Sequence, residues 1–353
     1  MAGVTDIVFR ALVRSLDSSC LLATEMVSSR GLINRPQTRL LDLSVSEHPV
    51  GIQIFGHEPD VMVDAALIAQ EAGADFVDIN MGCPVPKITK GKDGCALMRE
   101  PELAGQIVSA VRSAITVPLT VKFRLGWNNE SICAVEFAQM LETSGADAVT
   151  VHGRTRQQLY SGVADWELIG KVKKAVSIPV FGNGDIFAPE DALRAVEVSG
   201  CDGVAVARGM LGSPWLAGRI SRLFETGTAG QAPSCVERLI VAYKHSAGLC
   251  RYKGVSVGIK ESRRHLTHYT KGIPDASVYR AQLARVSSCD EVSTILADLA
   301  GKTGGEQGRS DFLFAVEKYN FENSEHPAKR DCDSKKSVKP PVDLVAVSPV
   351  AIP

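Results

Sequence analysis

From Leu21 to Ala207, short β-branched runs alternate with longer amphipathic stretches, and this alternation constrains the fold more than any other feature of the chain. The runs Leu21–Glu25, Val50–Phe55, Phe76–Asn80, Leu119–Arg124, Ala148–His152, Val180–Asn183 and Gly203–Ala207 read as strands. Between most of them lie stretches with helical patterning, such as Asp60–Ala72, Pro101–Ala114, Ser131–Ser144 and Pro189–Ser199. Strands separated by helices of this length pair in parallel, because a parallel neighbour is reached only through a crossover.

A short internal repeat supports the pattern. Gly73-Ala74-Asp75, Gly145-Ala146-Asp147 and Gly200-Cys201-Asp202 each follow a helical stretch and lead into a strand. Glycine suits the helix C-cap and aspartate the tight turn after it. Val117-Pro118 and Ile178-Pro179 open two further strands, a position where proline sacrifices no ladder donor.

A closed eight-stranded barrel needs one more strand. Its place is ahead of Met1, because Met1-Ala2-Gly3-Val4-Thr5-Asp6 has the composition of a strand-to-helix loop. The expected architecture is an α/β TIM (β/α)8 barrel over residues 1–225, its first strand missing at the N-terminus. After about Arg219 the pattern turns helical throughout, which predicts a smaller all-α domain over residues 226–300. Residues 301–353 are rich in Gly, Ser, Lys and Pro and read as a disordered tail, with Asp311–Tyr319 a short helical turn or strand within it.

Composition excludes several classes of function. The 353 residues are 45% hydrophobic and 22% charged, as expected of a soluble globular protein. No apolar run reaches the ~20 residues of a membrane helix. The first residues lack a basic leader with a long apolar core, so a cytoplasmic protein is expected. Nine cysteines without a CxxC pair read as reduced thiols, and no His/Cys/Asp spacing supports a metal site. A net charge of −1 argues against a uniformly basic nucleic-acid binder. Yet Val236 to Arg285 holds ten Lys or Arg against three acids. That surplus suits a polyanionic partner and equally suits a solvated helical face.

Barrel active sites form at the C-terminal ends of the strands, and polar residues gather there in this chain. Gln53 lies in one strand, Asn80 ends the next, and Lys122 with Arg124 ends the one after. His152, then Asn183-Gly184-Asp185, then Ala207-Arg208-Gly209 follow in order. The last two loops combine small residues with Arg208, a composition that lets backbone N–H groups approach a phosphate; the glycines serve simple turns equally well. With Lys122 nearby, such a site suits a phosphorylated cofactor such as FMN. Cys83 stands between Gly82 and Pro84 just past a strand end, where a neutral thiol can act as a proton donor. A lone cysteine is more often a small buried hydrophobe, as expected for Cys20, Cys133, Cys201 and Cys250.

The ordered set MAGVTD, GIQIFG, DINMGCP, KGKDGCALM, VKFRLGW, VHGRTRQQLYSG, GNGDI and ARG followed by SPW resembles the bacterial tRNA-dihydrouridine synthases, and RRHLTHYTKGIP resembles their C-terminal helical domain. The resemblance runs from Met1 to about Ala300. It implies reduction of uridine to 5,6-dihydrouridine in tRNA, with FMN in the barrel, NADPH as electron donor and Cys83 as proton donor. It places cofactor contacts on Met1, Ala2, Gln53, Lys122, His152, Asn183, Gly184, Asp185, Ala207 and Arg208. Asn80 and Arg154 are candidates for uracil or RNA contacts, and Arg263, Arg264 and Lys271 for tRNA contacts in the helical domain. A monomer without metal is expected. Two departures from the family stand out: the strand and proline ahead of Met1 are missing, and Ala207 replaces a usual Gly. Two rival readings are an FMN barrel oxidoreductase acting on a free pyrimidine or dihydroorotate, and a non-catalytic tRNA-binding protein.

Overall fold

The computed structural model describes residues 1–16 and 19–323. The chain divides into two compact units. The first comprises residues 1–209 with 216–229, and the second begins with residues 210–215 and resumes at Gly230. The boundary therefore falls a few residues beyond the expected 225.

In the first unit, α1 (Ile7–Leu16) precedes β1 (Leu22–Ala23), β2 (Val27–Ser28), α2 (Ser29–Asn34) and β3 (Val50–Phe55). Then follow α3 (Pro59–Glu71), β4 (Phe76–Asn80), α4 (Pro86–Thr89), α5 (Pro101–Ala114), β5 (Leu119–Arg124), α6 (Ala134–Thr143) and β6 (Ala148–His152). The unit continues with α7 (Trp166–Ala175), β7 (Val180–Asn183), α8 (Pro189–Ser199), β8 (Gly203–Ala205) and α9 (Leu216–Thr226). The sheet order is β1-β3-β4-β5-β6-β7-β8, and every pairing is parallel. The expected run Leu21–Glu25 is two short segments, β1 and β2, which both pair with β3. This is the succession of a (β/α)8 barrel. Among the described residues no strand precedes α1, and β1 does not pair with β8.

The glycine–aspartate repeat has a second physical purpose besides capping. Gly73, Gly145 and Gly200 all have positive φ, as a helix stop requires. Each aspartate then reaches sideways. Asp75, Asp147 and Asp202 accept hydrogen bonds from the amides of Val50, Leu119 and Val180 at 2.6, 2.7 and 2.8 Å. Their own amides donate back to the same three residues' carbonyls. Each carboxylate thus pins the start of the preceding strand and sets register. Between these junctions the carbonyls of Pro118 and Pro179 accept from Val77 and Val149.

Alternate strand residues face the helices. Ile52, Ile54, Val77, Ile79, Val121, Phe123, Val149 and Val151 form one buried core with Ala65, Ala69, Ile107, Val111 and Leu141 of the surrounding helices. Their in-between neighbours, many of them polar, line the opposite, inner face.

The second unit contains α10 (Cys235–Lys253), α11 (Val255–Tyr269), α12 (Ala276–Leu283) and α13 (Cys289–Glu322). A capping box starts α10: the Ser234 hydroxyl accepts from the Glu237 amide, and the Glu237 carboxylate accepts from the Ser234 amide. At Gly258 a Cβ would lie 2.5 Å from the backbone of Leu249 and Cys250, so only glycine allows α10 and α11 to approach this closely. The expectation of a disordered tail from 301 is corrected here. Residues 301–322 are helical, with a kink at Gly305. The glycines that gave this stretch its tail-like composition mark that kink. The stretch is amphipathic, and Phe312 and Val316 bury against Leu239, Tyr243 and Leu296. Residues 324–353 of the expected tail lie outside the described residues.

Phe312 is fully buried. Phe312→Ala is expected to cost about 3–5 kcal/mol of stability, the usual loss for a buried phenylalanine. Urea unfolding followed by far-UV circular dichroism measures it. A loss under about 1 kcal/mol would mean that this part of α13 does not belong to the core.

Candidate active site

Parallel pairing puts in-register residues on one face, and here it collects the polar strand residues. Gln53 pairs with Asp78 and Asp78 with Thr120; Asn80 pairs with Lys122. Arg124 pairs with His152, and His152 with Asn183. These residues share the inner face at its C-terminal end.

A chain of hydrogen bonds runs along that face to Cys83. The Gln53 amide nitrogen donates to Asp78 at 2.6 Å, and the Asn80 amide nitrogen donates to the Gln53 oxygen at 2.9 Å. The Asn80 oxygen accepts from the backbone amides of Gly82 and Cys83 at 3.1 and 2.9 Å. Thr120 donates its hydroxyl to the other oxygen of Asp78 at 2.5 Å. On the far side, Arg124 donates to the Gly82 carbonyl at 2.9 Å. The loop carrying Cys83 is thereby held from two strands. Gly94 lies against it with φ +59°, and a Cβ there would sit 2.9 Å from the Cys83 carbonyl. Burial pushes the Cys83 thiol above its ordinary range, against the opposing effects of the Val85 backbone and the Arg124 charge. The sulfur is therefore a neutral acid at physiological pH. Cys83 is half-buried, whereas Cys95 is fully buried, with its thiol pushed up to about 12 mainly by burial. Only Cys83 of these two can meet a ligand.

Beside this chain, the Lys122 ammonium donates to the Asn183 side-chain oxygen at 3.0 Å, and Asn183 donates to the Ala205 carbonyl at 2.6 Å. Burial, reinforced by the nearby Arg124 charge, lowers Lys122 to about 8 despite the favourable charge of Asp78. His152 is buried among cations. Burial first, then the charges of Lys122, Arg124, Arg154 and Arg208, push its pKa far down, so its ring is neutral. Gly184 lies against that ring; a Cβ there would sit 2.5 Å from Ala164 and 3.4 Å from His152.

Two buried arginines secure the loop after β6 by its carbonyls. Arg124 donates to Thr155 and Leu159 at 3.0 and 2.9 Å. Arg154 donates to Ser161 and Gly162 at 3.0 and 2.6 Å and to Asp185 at 2.6 Å. The other Asp185 oxygen accepts from Arg208 at 3.1 Å. Burial alone would raise the Asp185 pKa; the bonds from Arg154 and the Ala164 amide, with the charges of both arginines, outweigh it and hold the carboxyl below its usual range. Arg208 also lies over the rings of Tyr160 and Phe187, 4.6 and 5.6 Å from their centres. The Met1–Thr5 loop is tied down by Glu25, whose carboxylate accepts from the amides of Gly3 and Val4.

The structure thus brings together Gln53, Asn80, Cys83, Lys122, His152, Asn183, Gly184, Asp185 and Arg208, with Ala207 next in the chain. Arg154 is buried and turned into the loop rather than outward. Its Nη1 is a buried donor without a partner among the described residues. Met1 and Ala2 belong to the loop anchored on Glu25. In the helical unit Arg264 and Lys271 are exposed, while Arg263 donates twice to the Val286 carbonyl at 3.0 and 2.8 Å and so shapes a turn. Asp78, Thr120, Glu25 and Tyr160 were missed as site residues. For Asp78 a signal exists: an acid inside a strand, flanked by Val77 and Ile79, has to be satisfied from within. Among the described residues no three His, Cys, Asp or Glu side chains gather to hold a metal ion, and no helix is long and apolar enough to cross a membrane.

Comparison with known proteins gives this geometry a family. The dihydrouridine synthase (Dus) family model matches residues 1–302. A probable tRNA-dihydrouridine synthase 1 from Synechocystis sp. is 46% identical over 297 residues, covering 84% of this chain and 83% of the relative. A probable tRNA-dihydrouridine synthase from Rickettsia bellii is 41% identical over 283 residues, covering 79% and 86%. The tRNA-dihydrouridine synthase B of Pseudomonas aeruginosa is 38% identical over 291 residues, covering 82% and 88%. With a neutral thiol at the strand ends and this extent of similarity, the chain belongs to the dihydrouridine synthase family of oxidoreductases.

Proposed function

We propose that the protein reduces uridine in tRNA to 5,6-dihydrouridine, with FMN as its cofactor, NADPH as reductant and Cys83 as the acid. The observation that carries this reading is the half-buried neutral thiol of Cys83, held beside an inner face lined by Lys122, His152 and Asn183. The same face fits a flavin phosphate and ring. Lys122 and Arg208 supply positive charge, and the Gly184 turn tolerates no Cβ. Met1, Ala2, Gln53, Asp185 and Ala207 complete the cofactor contacts in this reading.

When bound, reduced FMN supplies hydride to C6 of the uracil ring. The pair of electrons displaced from the C5–C6 bond leaves negative charge on C5 and O4. Cys83 then donates its proton to C5, and the balance is one hydride and one proton added across the bond. Lys122 and the neutral His152 offer N–H donors to the developing oxyanion, where a preformed donor does most for catalysis. The uridine leaves its stack to reach this face, as bases do in other modifying enzymes. Arg264 and Lys271 hold tRNA phosphates, so binding weakens as salt rises. A monomer acting in the cytoplasm completes the reading.

Mass spectrometry of nucleosides from tRNA of a strain lacking the gene tests it. Loss of dihydrouridine at one position, with a purified protein that is yellow and bleached by NADPH, is the expected outcome. A yellow protein with an unchanged dihydrouridine map would redirect the reading to a free pyrimidine substrate. A colourless protein that shifts tRNA on a gel would leave only the binding role.

A further inference from the structure

We propose that Asp78 is a positioning residue for the proton transfer: it is the acceptor-only end of a chain that runs from the Cys83 loop through Asn80 and Gln53, and it fixes the direction of every hydrogen bond in that chain. The inference rests on the reading of Cys83 as the acid.

What each group can donate and accept sets the polarity of the chain. A carboxamide has two faces, a donor NH2 and an acceptor oxygen, and it can be flipped at little steric cost. Gln53 and Asn80 are both carboxamides, so neither can by itself decide which end faces which neighbour. An ionised carboxylate accepts only. Burial raises Asp78 to about 6, while the bonds from Thr120 and Gln53 and the Lys122 charge oppose the rise, so it is ionised at neutral pH. Its two oxygens receive Thr120 and Gln53. Gln53 must therefore turn its NH2 toward Asp78 and its oxygen toward Asn80. Asn80 must then turn its NH2 toward Gln53 and its oxygen toward the Gly82 and Cys83 amides. With the opposite polarity, the Asn80 NH2 would confront two N–H donors, and the Cys83 loop would lose its anchor. Donated bonds aligned in one direction also strengthen each other in a low-dielectric interior. The occupied amides cannot turn to stabilise a thiolate, which keeps Cys83 protonated until the reaction needs its proton.

Asp78→Asn tests this with almost no change in shape. A carboxamide at 78 can present either end to Gln53, because the Thr120 hydroxyl can donate or accept. Both chain polarities become available. Trypsin cleavage after Lys87 and Lys92 places Cys83 and Cys95 on separate peptides, so alkylation by iodoacetamide is read for Cys83 alone by mass spectrometry. The Cys83 alkylation rate is expected to rise about tenfold, the order of one lost hydrogen bond. In the same variant kcat for dihydrouridine formation is expected to fall about tenfold, with KM for tRNA unchanged. A purely packing role for Asp78 predicts neither change, since Asn fills the same volume. Alkylation at the parental rate in a folded Asp78→Asn protein would overturn the proposal. If that variant does not fold, Gln53→Met cuts the chain at its middle, and parental alkylation there overturns the proposal equally. Alkylation is read without turnover, so a parent protein that makes no dihydrouridine would refute the assigned reaction and leave the chain's polarity still decided by the thiol.

Discussion

Cys83→Ala is expected to fold, to retain its flavin and its tRNA affinity, and to form dihydrouridine about 10²- to 10⁴-fold more slowly, the range that one positioned general acid contributes. Hydride addition without a proton at C5 stalls with charge on the base and is readily reversed. The structural cost of the substitution is small, because Cys83 is half-buried on a loop fixed by backbone bonds to Asn80 and Arg124, not by its own side chain. The pH profile of the parent carries the same signature. Burial raises the Cys83 thiol, so its proton is present throughout the neutral range and is lost only above the ordinary thiol value of about 8.5, while Lys122, lowered to about 8, begins to lose its charge earlier. In the residual activity of the Ala variant the decline due to the thiol should vanish, and the earlier one due to Lys122 should remain. Cys95→Ala, whose sulfur is wholly enclosed, should keep the parental profile. Single-turnover reduction of tRNA by the photoreduced protein measures all three. Parental turnover in Cys83→Ala would remove the thiol from the acid role.

Much of this site was legible in the chain because strand periodicity and loop position are local properties. Lys122, His152 and Asn183 each end a β-branched run, and parallel register then brings them together without further information. Cys83 was marked by its place after FVDIN and before a proline. Other features depend on which groups meet across the sheet, and residue type does not reveal that. Asp78 stands out in the chain only as an acid between Val77 and Ile79; its role depends on Gln53 and Thr120, which occupy its two oxygens. Arg154 was a candidate for uracil or RNA contact through the family resemblance; the carbonyls of Ser161 and Gly162 turn it inward. The basic stretch in the helical unit divides in the same way. Arg238, Arg263 and Arg280 spend their guanidinium donors on backbone carbonyls, while Arg264 remains exposed. The 301–322 helix was missed because its glycines outweighed, in composition, an apolar spacing that only becomes decisive once Phe312 and Val316 have partners to pack against.

Arg154→Met is expected to destabilise the barrel unit by about 3–5 kcal/mol, the order expected when a buried guanidinium loses three hydrogen bonds and leaves two loop carbonyls unsatisfied. Four hydrogen-bonding relations converge on this guanidinium and its partner. Arg154 holds the Ser161 and Gly162 carbonyls, binds Asp185, and through Asp185 sets the position of Arg208. Methionine fills much of the space but leaves two carbonyls of the β6–α7 loop unsatisfied and leaves Asp185 with the Ala164 amide and the more exposed Arg208. Arg154→Lys should recover little, because one ammonium cannot span the fork of acceptors that the planar group reaches. The pH dependence gives an independent check with a definite sign. Asp185 has a folded-state pKa below its unfolded one, so its contribution to stability is fully present above about pH 3.9 and is lost as pH falls through the folded value. The parent should therefore lose stability steeply below about pH 4, and the Met variant, in which most of the depression is gone, should show a shallower slope there. Tryptophan fluorescence during urea unfolding reports on this region, since Trp127 lies between Arg99 and Arg156 at 5.0 and 4.7 Å. A loss below about 1 kcal/mol together with an unchanged acid slope would show that the loop is held without Arg154, and would return that residue to the role of a direct contact for RNA.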